Sequence, residues 1–269
     1  MQIHVMFQVD TFTDRVFAGN PAAVLVLDRP LDAELMQAVA AENNLAETAF
    51  AWREGDGWAI RWFTPTHEAA FCGHATLATA HVLMTAYATG GPVRFATRKV
   101  GDLTVARVGQ DRYAMTLPRL DPVATEAPAG FDRLFPDGWS ALVRNFENYF
   151  VELSDPGAVR AFAPDLRLIA GLGEMGLCVT AAGGTAHDGT GVDFLSRYFW
   201  PGGGIDEDPV TGSTHATLVP YWADRLGKTA LAAFQASRRG GLIGCDLGAT
   251  GVTLTGSAAT YMRAMIYLP

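Results

Sequence analysis

Gly204-Ile205-Asp206-Glu207-Asp208-Pro209-Val210-Thr211-Gly212-Ser213-Thr214-His215-Ala216-Thr217-Leu218 is the stretch on which the fold turns. Three acids in a row follow a glycine run. A proline ends them, and small residues lead into apolar positions at helical spacing. This order predicts a loop feeding a buried helix from Ser213 to about Leu226, ended by Gly227. The start of such a helix presents unpaired backbone N–H groups and the positive end of a dipole, so it can hold an anion. A shorter version, Cys72-Gly73-His74-Ala75-Thr76-Leu77, lies upstream, its glycine 139 residues before Gly212. Two such helix starts facing one cleft would make a site.

Working outward, the same order of elements recurs in each half: strands, a glycine turn, a buried helix, more strands. In the first half strands are expected at Ile3–Val9, Ala22–Leu27, Glu47–Trp52 and Trp58–Phe63, with Asp32 capping a helix that runs to about Asn43. Gly73 opens a helix to about Tyr87 that is small or apolar all round, which requires burial on every side. Strands follow at Val93–Thr97, Leu103–Val108 and Tyr113–Leu117. Proline-rich residues 118–138 read as a linker, dividing the chain into halves 1–118 and 119–269. Beyond it, one or two strands are expected in Ala141–Leu153, a helix at Pro156–Phe162, and strands at Gly176–Thr180 and Asp193–Phe199. Four closing strands are expected at Ala233–Ala236, Leu242–Leu247, Val252–Thr255 and Ala258–Ile266. The class is α+β, with two similar halves, each built on a buried helix.

Composition narrows the partners. The 269 residues carry a net charge of −8 with no Lys/Arg-rich run, which argues against nucleic acid and anionic membrane. Three cysteines at irregular spacing (Cys72, Cys178, Cys245) fit a reducing compartment, so a cytoplasmic protein is expected. The opening Met-Gln-Ile-His-Val-Met-Phe reads as a strand rather than a signal peptide, and no apolar run reaches membrane-spanning length. No nucleotide motif is present, and the His67-Glu68 pair lacks the second histidine of a zinc helix motif, Phe71 standing there instead. His74 and His81 are two helical turns apart and cannot share an ion. Neither cofactor nor metal is expected.

Among single residues, Glu47 lies at a helix-to-strand junction among apolar neighbours. Desolvation there would raise its pKa and let it both take and give a proton; read without that context it is an exposed strand-start residue. His74 at a helix start would stay neutral beside the positive dipole end. Asp208 precedes a proline turn and could equally be a loop cap. Ser213 could cap its own helix, or lend its backbone N–H, with those of Gly73 and Gly212, to a substrate carboxylate. Asp206 and Glu207 read as solvated or structural. Aligning the glycines puts Cys72 opposite Thr211 and His74 opposite Ser213.

Arg61-Trp-Phe-Thr-Pro, Phe71-Cys-Gly-His-Ala-Thr-Leu-Ala-Thr-Ala-His and Glu207-Asp-Pro-Val-Thr-Gly-Ser with His215 and Pro220-Tyr-Trp-Ala carry a resemblance. So do Val9-Asp-Thr-Phe-Thr, Gly19-Asn-Pro-Ala-Ala-Val and Asn44-Leu-Ala-Glu-Thr-Ala-Phe. Together the chain resembles the PhzF-like isomerases of phenazine biosynthesis, whose fold is similar to that of diaminopimelate epimerase. The resemblance implies two pseudo-symmetric domains, each a curved β-sheet or barrel around a central buried helix, with a cleft between them, a homodimer and no cofactor. It implies Glu47 as the acid/base, with His74 and Asp208 beside the substrate and Gly73, Gly212 and Ser213 on its carboxylate. The implied reaction is a hydrogen shift in a small anionic substrate such as trans-2,3-dihydro-3-hydroxyanthranilate. Epimerases of the related fold use one thiol per half. Here Thr211 stands where the second would be, and Cys72 reads as a packing residue. An amino-acid epimerase or racemase, and a non-catalytic carboxylate-binding protein, are the alternatives. Gln235, Arg238 and Arg239 receive no role.

Overall fold

A computed structural model describes residues 1–269. It divides into two compact units, Met1–Thr116 with Thr255–Pro269, and Leu117–Leu254. The first contains β1 (Gln2–Thr11), β2 (Asn20–Leu27), α1 (Ala33–Asn43), β3 (Glu47–Glu54), β4 (Gly57–Phe63), β5 (Glu68–Ala69), α2 (Gly73–Ala86), β6 (Val93–Ala96), β7 (Leu103–Gly109) and β8 (Arg112–Pro118), which runs just past its edge. The second contains β9 (Val123–Ala124), α3 (Phe131–Leu134), β10 (Ala141–Arg144), β11 (Asn148–Glu152), α4 (Pro156–Ala161), α5 (Leu166–Ala170), β12 (Gly176–Ala182), β13 (Phe194–Trp200), β14 (Ile205–Asp208), α6 (His215–Leu226), β15 (Ala230–Gln235) and β16 (Gly241–Leu247). The last strand, β17 (Gly251–Leu268), starts in the second unit and ends in the first.

In the first unit β17, β1, β2, β3, β4, β6, β7 and β8 pair in that order, and β8 pairs with β17 to close the ring. A closed ring leaves no free edge. Its interior takes α2, which packs on β1, β2, β3 and β7. Residues Gly73–Leu83 of that helix are all buried, as an all-round apolar helix demands. Outside the ring, α1 lays Met36, Val39 and Ala40 against Leu25, Phe50 and Phe63. Asn44, at φ 50°, ends α1 in the left-handed conformation and turns the chain toward Glu47.

The second unit repeats the local plan. β13 pairs parallel with β15 through Phe194–Ser196, and antiparallel with β14 through Tyr198 and Trp200. In the first unit β4 does the same, parallel to β6 at Trp58–Ala59 and antiparallel to β5 at Trp62–Phe63. In each unit the hub strand splays between two partners, and the chain leaving the short one turns into the buried helix. Helix α6 packs on β15 and β16, with His215–Ala223 buried. It carries Pro220 in its interior, which removes the N–H that would bond the Ala216 carbonyl. That carbonyl instead accepts from Leu120 N at 3.0 Å, so the proline anchors the segment entering the unit.

Several expectations are corrected. The acid run is not loop throughout, since Ile205–Asp208 forms β14. Helix α6 starts at His215 rather than Ser213, with Thr214 as its N-cap and no side-chain cap bond; Asp32 likewise makes none. The glycines before β14 are tightly packed: a Cβ on Gly202 would meet Gly173 O at 2.3 Å, and one on Gly203 the Trp200 ring at 2.4 Å. Helix α5 was not expected. The two last expected strands are one, because Gly256 is no break; it lets the strand pass 2.4 Å, at the Cβ position, from the Phe12 ring. Residues 258–268 pair with β1, and 255–269 group with the first unit. No helix is long and apolar enough to cross a membrane.

The buried helices make a stability test. Leu77 in α2 and Leu218 in α6 are both fully buried. Leu77→Ala and Leu218→Ala are each expected to cost about 2–5 kcal/mol, read as a lower denaturation midpoint with unchanged slope.

Candidate active site

The first unit brings together the side chains around the start of α2. Gly19, at φ +63°, makes the turn into β2; a Cβ there would lie 2.0 Å from Thr11 O, so only glycine fits. The next residue, Asn20, sets its amide nitrogen 3.3 Å from His74 Nδ1. Parallel pairing of β2 and β3 puts Glu47 opposite Ala22. The Glu47 Oε2 atom lies 3.3 Å from His74 Nε2, with only 13% and 6% of the two side chains exposed. Cys72, the extended N-cap of α2, places Sγ 3.4 Å from His74 Nδ1. Gly73 is buried, and a Cβ there would lie in van der Waals contact with Met115 and Phe71, at 3.4 and 3.5 Å.

His74 is neutral. Burial pushes its pKa down to about 3, against a smaller upward pull from a hydrogen bond to the Pro21 carbonyl. The sequence anticipates the direction, but the main cause is desolvation rather than the helix dipole. The approach to Glu47 is therefore one of a neutral imidazole to a carboxyl group, not an ion pair.

The second unit holds a separate polar centre before α6. Asp208 is buried at the end of β14 and accepts a short hydrogen bond from the Thr211 hydroxyl. Gln235, fully buried at the end of β15, donates to the Asp208 carbonyl at 2.7 Å and to Thr211 Oγ1 at 3.2 Å, and accepts from Thr211 N at 2.8 Å. Splaying of β14 and β15 from β13 leaves the gap that this amide bridges. The Thr211 carbonyl accepts from Thr214 Oγ1 at 2.8 Å and from His215 Nδ1 at 2.9 Å. The Thr211 hydroxyl is thus bonded on both sides and cannot act as a base. Ser213 is partly exposed and does not cap α6.

Asp206 is exposed, whereas Glu207 takes both prongs of Arg197 at 2.7 and 3.0 Å. The first unit has the matching pair, Arg61 to Glu68 at 2.8 and 2.8 Å. The Arg61 hydrogen bond is the main reason that the Glu68 pKa is lowered. Each arginine also lies 5.0 Å from the ring centre of the phenylalanine two residues on, Phe63 or Phe199. Each glutamate stands four residues before the Cys72 or Thr211 position. These braces, with Asn20 and Gln235, were missed from sequence. Comparing the halves four residues upstream of the glycine turns was the available signal for the braces. Nothing local marks Asn20 or Gln235. His81 is structural, bonding Tyr113 at 2.9 Å and Thr260 at 2.8 Å.

Burial also lowers His215, to about 4. Both histidines fall below the ordinary 6.5, so the unfolded chain takes their protons first. Their contribution to stability is complete above pH ~6.5 and is lost as pH falls from there toward ~3–4. Ring NMR is expected to show neither imidazole titrating above pH ~5, with stability dropping across this window in the wild type and less so in His74→Gln. Titration of either ring near 6.5 would contradict the buried neutral state.

Comparisons with known proteins identify the family. A family model described as phenazine biosynthesis-like protein matches residues 9–264. An uncharacterized isomerase of Pseudomonas aeruginosa is 45% identical over 265 residues, covering 98% of each chain. A PhzF-family crystal structure from Enterococcus faecalis superposes with a TM-score of 0.92 at 38% identity, over 99% of this chain and 100% of that one. A hydroxyproline epimerase from Agrobacterium vitis, solved with trans-4-hydroxy-L-proline, gives a TM-score of 0.57 at 14% identity over 98% and 92%, a likeness of fold alone. The chain belongs to the phenazine biosynthesis-like protein family and is an enzyme of the isomerase kind.

Proposed function

We propose that this isomerase shifts a hydrogen within a small, carboxylated, unsaturated substrate without a cofactor. The observation that carries the reading is the 3.3 Å approach of the Glu47 carboxyl group to neutral His74 at the start of α2. A carboxylate so placed accepts a proton from one carbon of a conjugated system and returns it to another as the double bonds move. The neutral imidazole supplies a hydrogen bond without adding a competing positive charge. Asp208 is the proposed polar partner of the substrate in the second unit. Gly73, Gly212 and Ser213 are the proposed carboxylate-binding positions, backbone N–H groups near helix starts suiting an anion. Trans-2,3-dihydro-3-hydroxyanthranilate is the proposed model substrate.

An amino-acid epimerase is the second reading, favoured by the Cys72 thiol beside His74. Against it, the opposite thiol is replaced by Thr211, whose hydroxyl is committed to Asp208 and Gln235. A cytoplasmic homodimer goes with the first reading. Paired strands β1 and β17 leave Ile3 and Tyr267 exposed opposite one another, an apolar face suited to a second copy.

Glu47→Gln is expected to lower kcat on the model substrate by about 10²–10⁴-fold with unchanged substrate affinity. Retained turnover would remove Glu47 from its role. Cys72→Ser is expected to stay active; its inactivity, together with solvent deuterium at Cα and loss of configuration in amino-acid substrates, would establish the epimerase. Sedimentation equilibrium is expected to give two chains of 28.7 kDa per particle.

A further inference from the structure

We propose that Glu47, Cys72 and His74 form a binding site for a thiophilic divalent cation, zinc above all, and that filling it switches the enzyme off. The three donors come from two segments far apart in sequence, which is why motif spacing shows no ligand cluster. In the fold, one ligand atom from each lies within 4.8 Å of the others. A tetrahedral zinc, with bonds of about 2.3 Å to sulfur and about 2.0–2.2 Å to nitrogen or oxygen, spans edges of about 3.3–3.6 Å. His74 Nε2 and Glu47 Oε2, 3.3 Å apart, already match one edge. Cys72 Sγ and His74 Nε2, 4.0 Å apart, exceed a second edge by roughly half an ångström, and the third, from Cys72 Sγ to the Glu47 carboxylate, is no longer than 4.8 Å, so that a turn of the cysteine side chain must close both.

The chemistry of the set fits as well as its spacing. One soft thiolate, one imidazole and one carboxylate are zinc donors, and three protein ligands leave a fourth position for water. The imidazole turns Nε2 toward Glu47, while Nδ1 lies beside the Asn20 amide and Cys72 Sγ. The thiol must ionise to bind, so uptake of the ion releases one proton to solvent. Glu47, the least buried of the three, gives the ion a way in. Bound to a cation, its carboxylate can no longer take a proton. This inhibition rests on Glu47 as the proton carrier; the binding itself does not.

The test uses the full chain and the metals alone. Titration with Co²⁺ is expected to give one ion per chain and a thiolate-to-cobalt charge-transfer band that Zn²⁺ displaces. Loss of even an outer partner of a metal site costs about 10–100-fold in affinity. Cys72→Ser is therefore expected to abolish the band and weaken Zn²⁺ binding at least about 100-fold, while Cys245→Ser leaves both as they were. X-ray absorption on the zinc-loaded wild type, which needs no variant to fold, is expected to show one sulfur among nitrogen and oxygen neighbours. No stoichiometric uptake at micromolar metal, a shell without sulfur, or a band that survives Cys72→Ser overturns the site. Turnover that persists with the ion bound as described overturns the inhibitory half of the proposal and the role given to Glu47, while the cation site stands.

Discussion

The bidentate arginine–glutamate pair is the constraint on which both polar centres depend. In each unit an arginine of the hub strand grips a glutamate of the short strand before the buried helix: Arg61 with Glu68, Arg197 with Glu207. The residues that follow, Cys72 to His74 in one unit and Asp208 to Ser213 in the other, are aimed by that grip. The pairs are half-shielded, with 11–26% of each side chain exposed. Their worth therefore lies between the ~0–1 kcal/mol of a surface pair and the ~3–5 kcal/mol lost on breaking a buried one. Geometry matters more than energy here, because a two-pronged contact fixes direction as well as distance.

Around these braces the two centres are built by different means. The first is made of side chains held apart from water, and desolvation sets the state of His74. The second is a web of backbone and amide bonds in which Gln235 and His215 tie down the Thr211 peptide and Thr211 ties down Asp208. One centre is a cluster of side chains sheltered from water, and the other is a web locked in shape.

Much of this was legible in the sequence because it is local. The all-round apolar run after Gly73 could only be a buried helix, and it is. Gly227, at φ 65°, ends α6 as its composition suggested. The grouping of Cys72, Gly73 and His74 follows from their adjacency. What escaped was long-range or ambiguous. Acidic Ile205–Asp208 reads as loop because β-propensity is low there, yet pairing with β13 overrides it. Gln235 carries no signal until the fold sets it beside Asp208. Glu47 comes next to His74 only through the parallel pairing of β2 and β3.

The last strand has a consequence for how the protein is made. β1 pairs along its whole length with the final residues of β17, from Gln2 with Leu268 to Thr11 with Ala258. A ribosome delivers the first of these partners long before the second. The opening strand must therefore wait, one edge unsatisfied, through synthesis of the entire second unit, which can complete its own sheet earlier. During that interval the apolar first unit is the vulnerable part of the nascent chain, and its ring closes only once β17 has been made.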